Sequence, residues 1–188
     1  MSLDQIYNVR EVDDRMMTSG QPSEDQLRAV AAAGFDTVVN LAPHDSENAL
    51  SDEAELVSAL GMTYHHLPVV WANPTEADFA AFEQVMADLP PNARTLVHCA
   101  ANFRVSAFYG LYAIKHLGWS LDQAEAFRAP VWKGSDYPIW EAFISKMQRR
   151  LSAAVGEAEK AQEPKRQVPP RAPQGTGRPS SDRCPFCN

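Results

Sequence analysis

Cys99 and Arg104 bracket the stretch His98-Cys99-Ala100-Ala101-Asn102-Phe103-Arg104-Val105-Ser106, where a thiol and a guanidinium close a six-residue loop. Residues 93–97 (ARTLV) read as a short buried strand, and residues 104–117 carry apolar side chains at helical spacing with Gly118 as the stop. The loop therefore opens a helix. A helix start presents unpaired backbone N–H groups and the positive end of the dipole, which hold an anion and favour a thiolate. Arg104 adds a planar, permanently charged fork. Cys99 is then the candidate nucleophile. Ala100, Ala101, Asn102, Phe103 and Val105 are the loop positions that would touch a bound substrate. Ser106, one turn into the helix, is placed to donate to the sulfur and make it a better leaving group. His98 immediately precedes the nucleophile and would tune the thiol from within the loop's support.

The elements around the loop follow from periodicity and caps. Residues 7–12 and 16–19 form an opening hairpin or edge, and Ser23 with Gln26 caps a helix that ends at Gly34. A strand covers residues 37–41, a helix opened by Ser51 ends near Gly61, and the next strand covers residues 63–67. Residues 76–88 form a helix, followed by the Cys99 strand and its helix, a helix capped by Ser120 and Gln123, and a last long helix over residues 138–150. This alternation predicts an α/β fold with a central, mostly parallel sheet flanked by helices. In such sheets ligands bind beyond the carboxyl ends of strands, where Cys99 stands. His65 and His66 end a strand on opposite faces, so they cannot share a pocket and receive no metal role.

Of the 188 residues 45% are hydrophobic, enough for one domain with a real core. The first residues offer neither a basic nor an apolar leader segment, and no apolar run approaches the roughly 20 residues that span a bilayer. The expectation is a soluble, cytoplasmic protein without a membrane partner. Cys99 is the only cysteine before residue 184, which fits a reducing compartment. Residues 1–152 carry 20 acidic against 11 basic side chains. That acidic body repels polyanions, so nucleic acid is excluded as a partner of the folded part. No cofactor is called for.

Several stretches in order resemble one family: the His98-Cys99 loop with Ser106, Ser19-Gly20-Gln21-Pro22, Ala33-Gly34-Phe35-Asp36-Thr37-Val38-Val39-Asn40-Leu41, and Leu67-Pro68-Val69. Together they are similar to a bacterial tyrosine/dual-specificity phosphatase-like family that also occurs fused to β-lactamase-like hydrolases. The phosphatase signature is H-C-x5-R-[ST]. Here Arg104 comes one residue early, giving the C-x4-R spacing that is usual in this family and typical also of rhodanese-type sulfurtransferases. The resemblance implies a dual-specificity-phosphatase-like fold over residues 1–152. It also implies hydrolysis of phosphate monoesters through a phosphocysteine on Cys99, acting on a phosphorylated small molecule or phosphoprotein.

The departures from the pattern are specific. Asn102 stands where phosphatase loops usually carry glycine, and Asn tolerates left-handed backbone best among the other residues. The general acid of such enzymes is an aspartate on a loop ahead of the cysteine, and the matching stretch reads Val69-Val70-Trp71-Ala72-Asn73-Pro74. Trp71 takes that place as a pocket cap, while Trp119, Trp132 and Trp140 read as core or rim. Asp78, Asp45 and Asp136 are the candidate acids, although Asp78 also fits the first turn of a capped helix. Without an acid, turnover is expected to be weak and to favour aryl phosphates. Two alternatives remain. One is a rhodanese-like sulfurtransferase working through a Cys99 persulfide, which needs no acid. The other is a non-catalytic module that binds phosphate.

From about Ala153 the chain turns to Ala, Glu and Lys and then, from Pro164 onward, to Pro, Arg, Gln, Gly and Ser, and residues 153–188 read as a disordered tail. Cys184 and Cys187 form half a zinc site at most, so no metal is assigned. A zinc shared between two chains, or a dithiol that resolves an oxidised Cys99, are the sharper readings of that pair. The tail is a candidate contact for an unknown protein, with Pro170-Arg171-Ala172-Pro173 as an SH3-type ligand.

Overall fold

The computed structural model describes residues 2–162; the expectations for Cys184, Cys187 and the proline-rich segment lie outside them. In chain order the elements are β1 (Arg10–Glu11), β2 (Met16–Ser19), α1 (Glu24–Ala32), β3 (Thr37–Asn40), α2 (Glu53–Ala59), β4 (Thr63–His66) and α3 (Glu76–Asp88). They continue with β5 (Thr95–His98), α4 (Phe103–His116), α5 (Leu121–Arg128) and α6 (Pro138–Gln162). Single 3-10 turns sit at Leu3–Gln5 and Gly134–Asp136. The five strands form one sheet in the order β1-β2-β5-β3-β4. Only β1 runs antiparallel, so the fold is the mixed α/β architecture with a mostly parallel sheet that the alternation predicts.

Side-chain alternation splits the core into two layers. Val38, Leu96 and Met17 face one side with Leu27 and Val30 of α1 and Val57 of α2. Val39 and Val97 face the other, against Phe79, Phe82, Phe108 and Trp140 from α3, α4 and α6. β5 is central in this arrangement, with parallel partners on both edges. Its last residue, His98, therefore ends inside the protein rather than at an edge.

Three helices begin at reciprocal capping boxes: Ser23 with Gln26, Thr75 with Asp78, and Ser120 with Gln123. Each cap is worth about 1 kcal/mol. α2 departs from the expected start at Ser51. It begins at Glu53 after Asp52, which makes no side-chain cap, because Glu53 is drawn into the interior. α6 runs past the expected end at residue 150 to Gln162. Ala, Glu and Lys dominate that extension, and all three are strong helix formers. No helix among the described residues is long and apolar enough to cross a membrane.

Phe108 packs against Phe79, Phe82, Trp140 and Phe143 with none of its surface exposed. Phe108→Ala should cost about 3–5 kcal/mol, measured as a shift of the urea unfolding midpoint with unchanged slope.

Candidate active site

The chain leaves β5 at His98, between Ser19 of β2 and Asn40 of β3 in register, and enters α4 at Phe103. Asn102 makes the turn with φ 64° and ψ 5°, the left-handed conformation that its residue type tolerates. The backbone N–H groups of Ala100, Ala101, Phe103, Arg104 and Val105 find no acceptor among the described residues. Two carbonyls of the loop are engaged on the outer side, Ala100 by the Gln21 amide at 3.1 Å and Ala101 by Asn8 Nδ2 at 3.0 Å. A run of open amides at the positive end of a 14-residue helix is an anion-binding arrangement.

Cys99 is a free thiol, fully buried. Over the loop lies a pocket of about 220 Å³ lined by Trp71, Ala100, Ala101, Phe103, Arg104 and Tyr137. Arg104 is held from two sides. Its Nε donates to the Val69 carbonyl at 2.8 Å, and its guanidinium lies 5.3 Å from the centre of the Trp71 ring. Its terminal nitrogens make no hydrogen bond to protein among the described residues, which leaves the fork open. Trp71 is itself fixed by Trp140, whose Nε1 donates to the Trp71 carbonyl at 2.8 Å and whose ring stacks on it.

Three loop expectations change. Ser106 does not reach the sulfur: its hydroxyl donates to the Phe103 carbonyl at 3.2 Å and accepts from Trp132 Nε1 at 3.0 Å. The cause is visible in these two contacts, which hold the hydroxyl between the start of its own helix and the Trp132 indole. Val105 offers only its N–H, since its side chain is fully buried in the core. Asn102 is fully buried and its side chain does not line the pocket: it donates to the Asn8 carbonyl at 2.7 Å and to Thr18 Oγ1 at 3.1 Å.

Behind the loop lies a buried polar cluster centred on Glu53, which is 2% exposed. Asn40 Nδ2 (2.8 Å), Gln21 Nε2 (3.0 Å) and the Tyr64 hydroxyl (3.2 Å) donate to its carboxylate. His98 Nε2 stands 2.9 Å from Oε1, but neither ring nitrogen makes a hydrogen bond of good geometry among the described residues. Burial pushes the Glu53 carboxyl upward. The contacts with His98, and then Gln21 and Tyr64, outweigh burial and hold it below the usual range. Burial, then the Glu53 charge, raises the Tyr64 phenol.

Residues 8–126 match the family model described as the phosphatase-like domain of beta-lactamase hydrolase-like proteins. The chain belongs to that family. A beta-lactamase hydrolase-like protein of Xylella fastidiosa (strain Temecula1) is 31% identical over 119 residues, which is 62% of this chain and 27% of that protein. The chain thus spans about a quarter of the length of the curated relatives it matches. A candidate phosphatase from Shewanella putrefaciens CN-32 is 34% identical with a TM-score of 0.72, covering 79% of this chain and 93% of that one. TpbA of P. aeruginosa, solved with phosphotyrosine, shares the fold at a TM-score of 0.62 and 14% identity over 81% of this chain and 93% of that one. The fold of this phosphatase-like family member is accordingly the phosphatase fold of those structures.

None of the three aspartates lines the pocket of this phosphatase-like domain. Asp78 Oδ2 is occupied by the Thr75 amide and hydroxyl at 2.8 and 2.7 Å. Asp45 is exposed in the loop after β3. Asp136 is exposed too, but it directly precedes Tyr137, which does line the pocket. No group of three or more His, Cys, Asp or Glu among the described residues is placed to hold a metal.

Glu53 was outside the sequence-derived set, as were Asn8, Trp132 and Tyr137. Because the Glu53 carboxyl is depressed in the folded state, its contribution is complete above the unfolded value near pH 4.3 and is lost as pH falls through the folded value. Glu53→Gln, which replaces the buried charge that accepts from Asn40, Gln21 and Tyr64, should be less stable near neutrality by about 1.5–3 kcal/mol. Urea unfolding across pH should show that gap closing only below about pH 4.3.

Proposed function

We propose that this phosphatase-like domain hydrolyses phosphate monoesters through Cys99. The observation that carries the reading is the row of open amides facing no acceptor, joined at one pocket by the open fork of Arg104. The Cys99 sulfur attacks phosphorus as the bond to the ester oxygen breaks, and the leaving oxygen takes a proton from solvent or from an acid. Water then attacks the phosphocysteine, the sulfur–phosphorus bond breaks, and inorganic phosphate leaves with the thiolate restored. The amides and Arg104 hold the equatorial oxygens throughout. Trp71, Phe103 and Tyr137 at the pocket favour an aromatic ester. With no carboxylate among the described residues that line the pocket, a leaving group that departs unaided is favoured as well. A phosphotyrosine-type phosphoprotein or an aryl-phosphate small molecule fits both conditions.

One observation favours sulfur transfer as a second reading. Cys99 is fully buried, and Ala100, Ala101 and Phe103 give its loop an apolar lining, which suits a persulfide and needs no acid.

Phosphate release from an aryl phosphate should vanish in Cys99→Ser and fall about 100-fold or more in Arg104→Ala, with alkyl phosphates far slower than aryl ones. Intact mass read in parallel separates the two readings. A gain of one sulfur on Cys99 after thiosulfate, with no phosphate release from any ester, would replace the hydrolase with a sulfurtransferase.

A further inference from the structure

The loop is fastened to a segment that the chemistry above does not use. Asn8 lies 94 residues from Asn102 and makes one hydrogen bond on each side of the Ala101–Asn102 junction: its Nδ2 donates to the Ala101 carbonyl, and its own carbonyl accepts from Asn102 Nδ2 at 2.7 Å. Both are non-glycine residues at positive φ, 49° and 64°. Their neighbours are equally close. The Gly20 amide donates to the Tyr7 carbonyl at 2.7 Å, and a Cβ on Gly20 would stand 2.8 Å from the Tyr7 ring and 3.0 Å from the Ala100 carbonyl.

This clamp acts on one peptide plane. In a trans peptide the C=O and the following N–H point opposite ways. The plane between Ala101 and Asn102 therefore sets two things together: which way the Ala101 carbonyl faces, and the sign of φ at Asn102. Flipping it would give Asn102 the negative φ that a residue with a Cβ prefers. The same flip would turn the Ala101 carbonyl from the outer side of the loop to the side where the amides stand open, placing a partial negative charge against an anion. Asn102 thus holds a conformation that its own backbone disfavours. The restraints visible among the described residues are the two Asn8 contacts, the contact of Asn102 with Thr18 Oγ1, and the antiparallel bridge of Ala101 with Gly20, which includes the Gln21 amide on the Ala100 carbonyl.

We propose that Asn8 is a positioning residue of the Cys99 loop: by holding the Ala101 carbonyl outward it keeps the Ala101–Asn102 peptide from flipping and so keeps the anion site open. The inference rests on reading the loop as an anion site. It assigns Asn8 no contact with substrate and no part in the bond-making steps.

Asn8→Gly tests it cleanly, because glycine accepts the positive φ at position 8 and removes only the amide. Full-length variants are compared for inorganic phosphate affinity by calorimetry, for kcat and KM with an aryl phosphate, for the iodoacetamide alkylation rate of Cys99, and for melting temperature. Expected for Asn8→Gly are a melting temperature close to wild type, phosphate affinity and kcat each lower by about tenfold, the ratio matching the left-handed penalty of a non-glycine residue, and faster alkylation. Adding Asn102→Gly should recover most of the phosphate affinity, since glycine holds the positive φ without help. A purely structural role for Asn8 gives no such recovery. If Asn8→Gly does not fold, Asn8→Asp, which keeps the shape but lacks the donor, takes the same measurements. Phosphate affinity and alkylation both within twofold of wild type would overturn the proposal, as would a double variant no better than Asn8→Gly. A wild type that binds no phosphate removes the anion-site reading instead; the restraint on the loop is then decided by the alkylation rate alone.

Discussion

A central strand and a buried helix joined by four residues must turn without pairing their amides, and most of the site follows from that constraint. β5 is pinned on both edges by parallel neighbours, and α4 is buried along most of its first two turns, from Arg104 to Leu111. Neither end can move to satisfy the loop. Unpaired N–H groups inside a protein are costly unless something accepts them, so the connection is stable only if water or an anion completes it. The same rigidity means that a ligand orders little on arrival, which is the condition for strong electrostatic stabilisation.

The loop itself was legible because its chemistry lies in contiguous residues: strand, thiol, guanidinium and helix follow one another, and Asn102 is a residue type that accepts the turn. Most of the elements were legible for the same reason, down to the capping boxes at Ser23 and Ser120. What stayed hidden depends on distance in the chain or on rotation. Glu53 looked like an ordinary acidic residue near a helix start, and only the fold brings His98, Asn40, Tyr64 and Gln21 around it. Asn8 and Trp132 reach the loop from 94 and 29 residues away. The orientation of Ser106 depends on Trp132, whose indole donates to its hydroxyl from 26 residues away.

Arg104 illustrates how little charge the site contains. It is the single cation lining the pocket among the described residues, in a body whose charge is strongly negative. Its position comes from a carbonyl and an indole rather than from a carboxylate. Among the described residues no ion pair competes for its terminal nitrogens, so the charge is available to whatever enters. The aromatic residues that hold it, Trp71 with Trp140 behind it, belong to the same core layer that supports α4. Loop and pocket wall are therefore one packing unit.

The Tyr7 and Asn8 contacts tie this unit to the least protected edge of the sheet. β1 is two residues long and pairs on one side only. Segments of that kind open locally with far smaller free energies than the core. The geometry at the end of the best-buried strand thus depends on the excursions of the outermost one. Ile6 anchors the segment in the core, so the weak point is the stretch between that anchor and β2, and warming that loosens it should blunt the loop before it melts the protein.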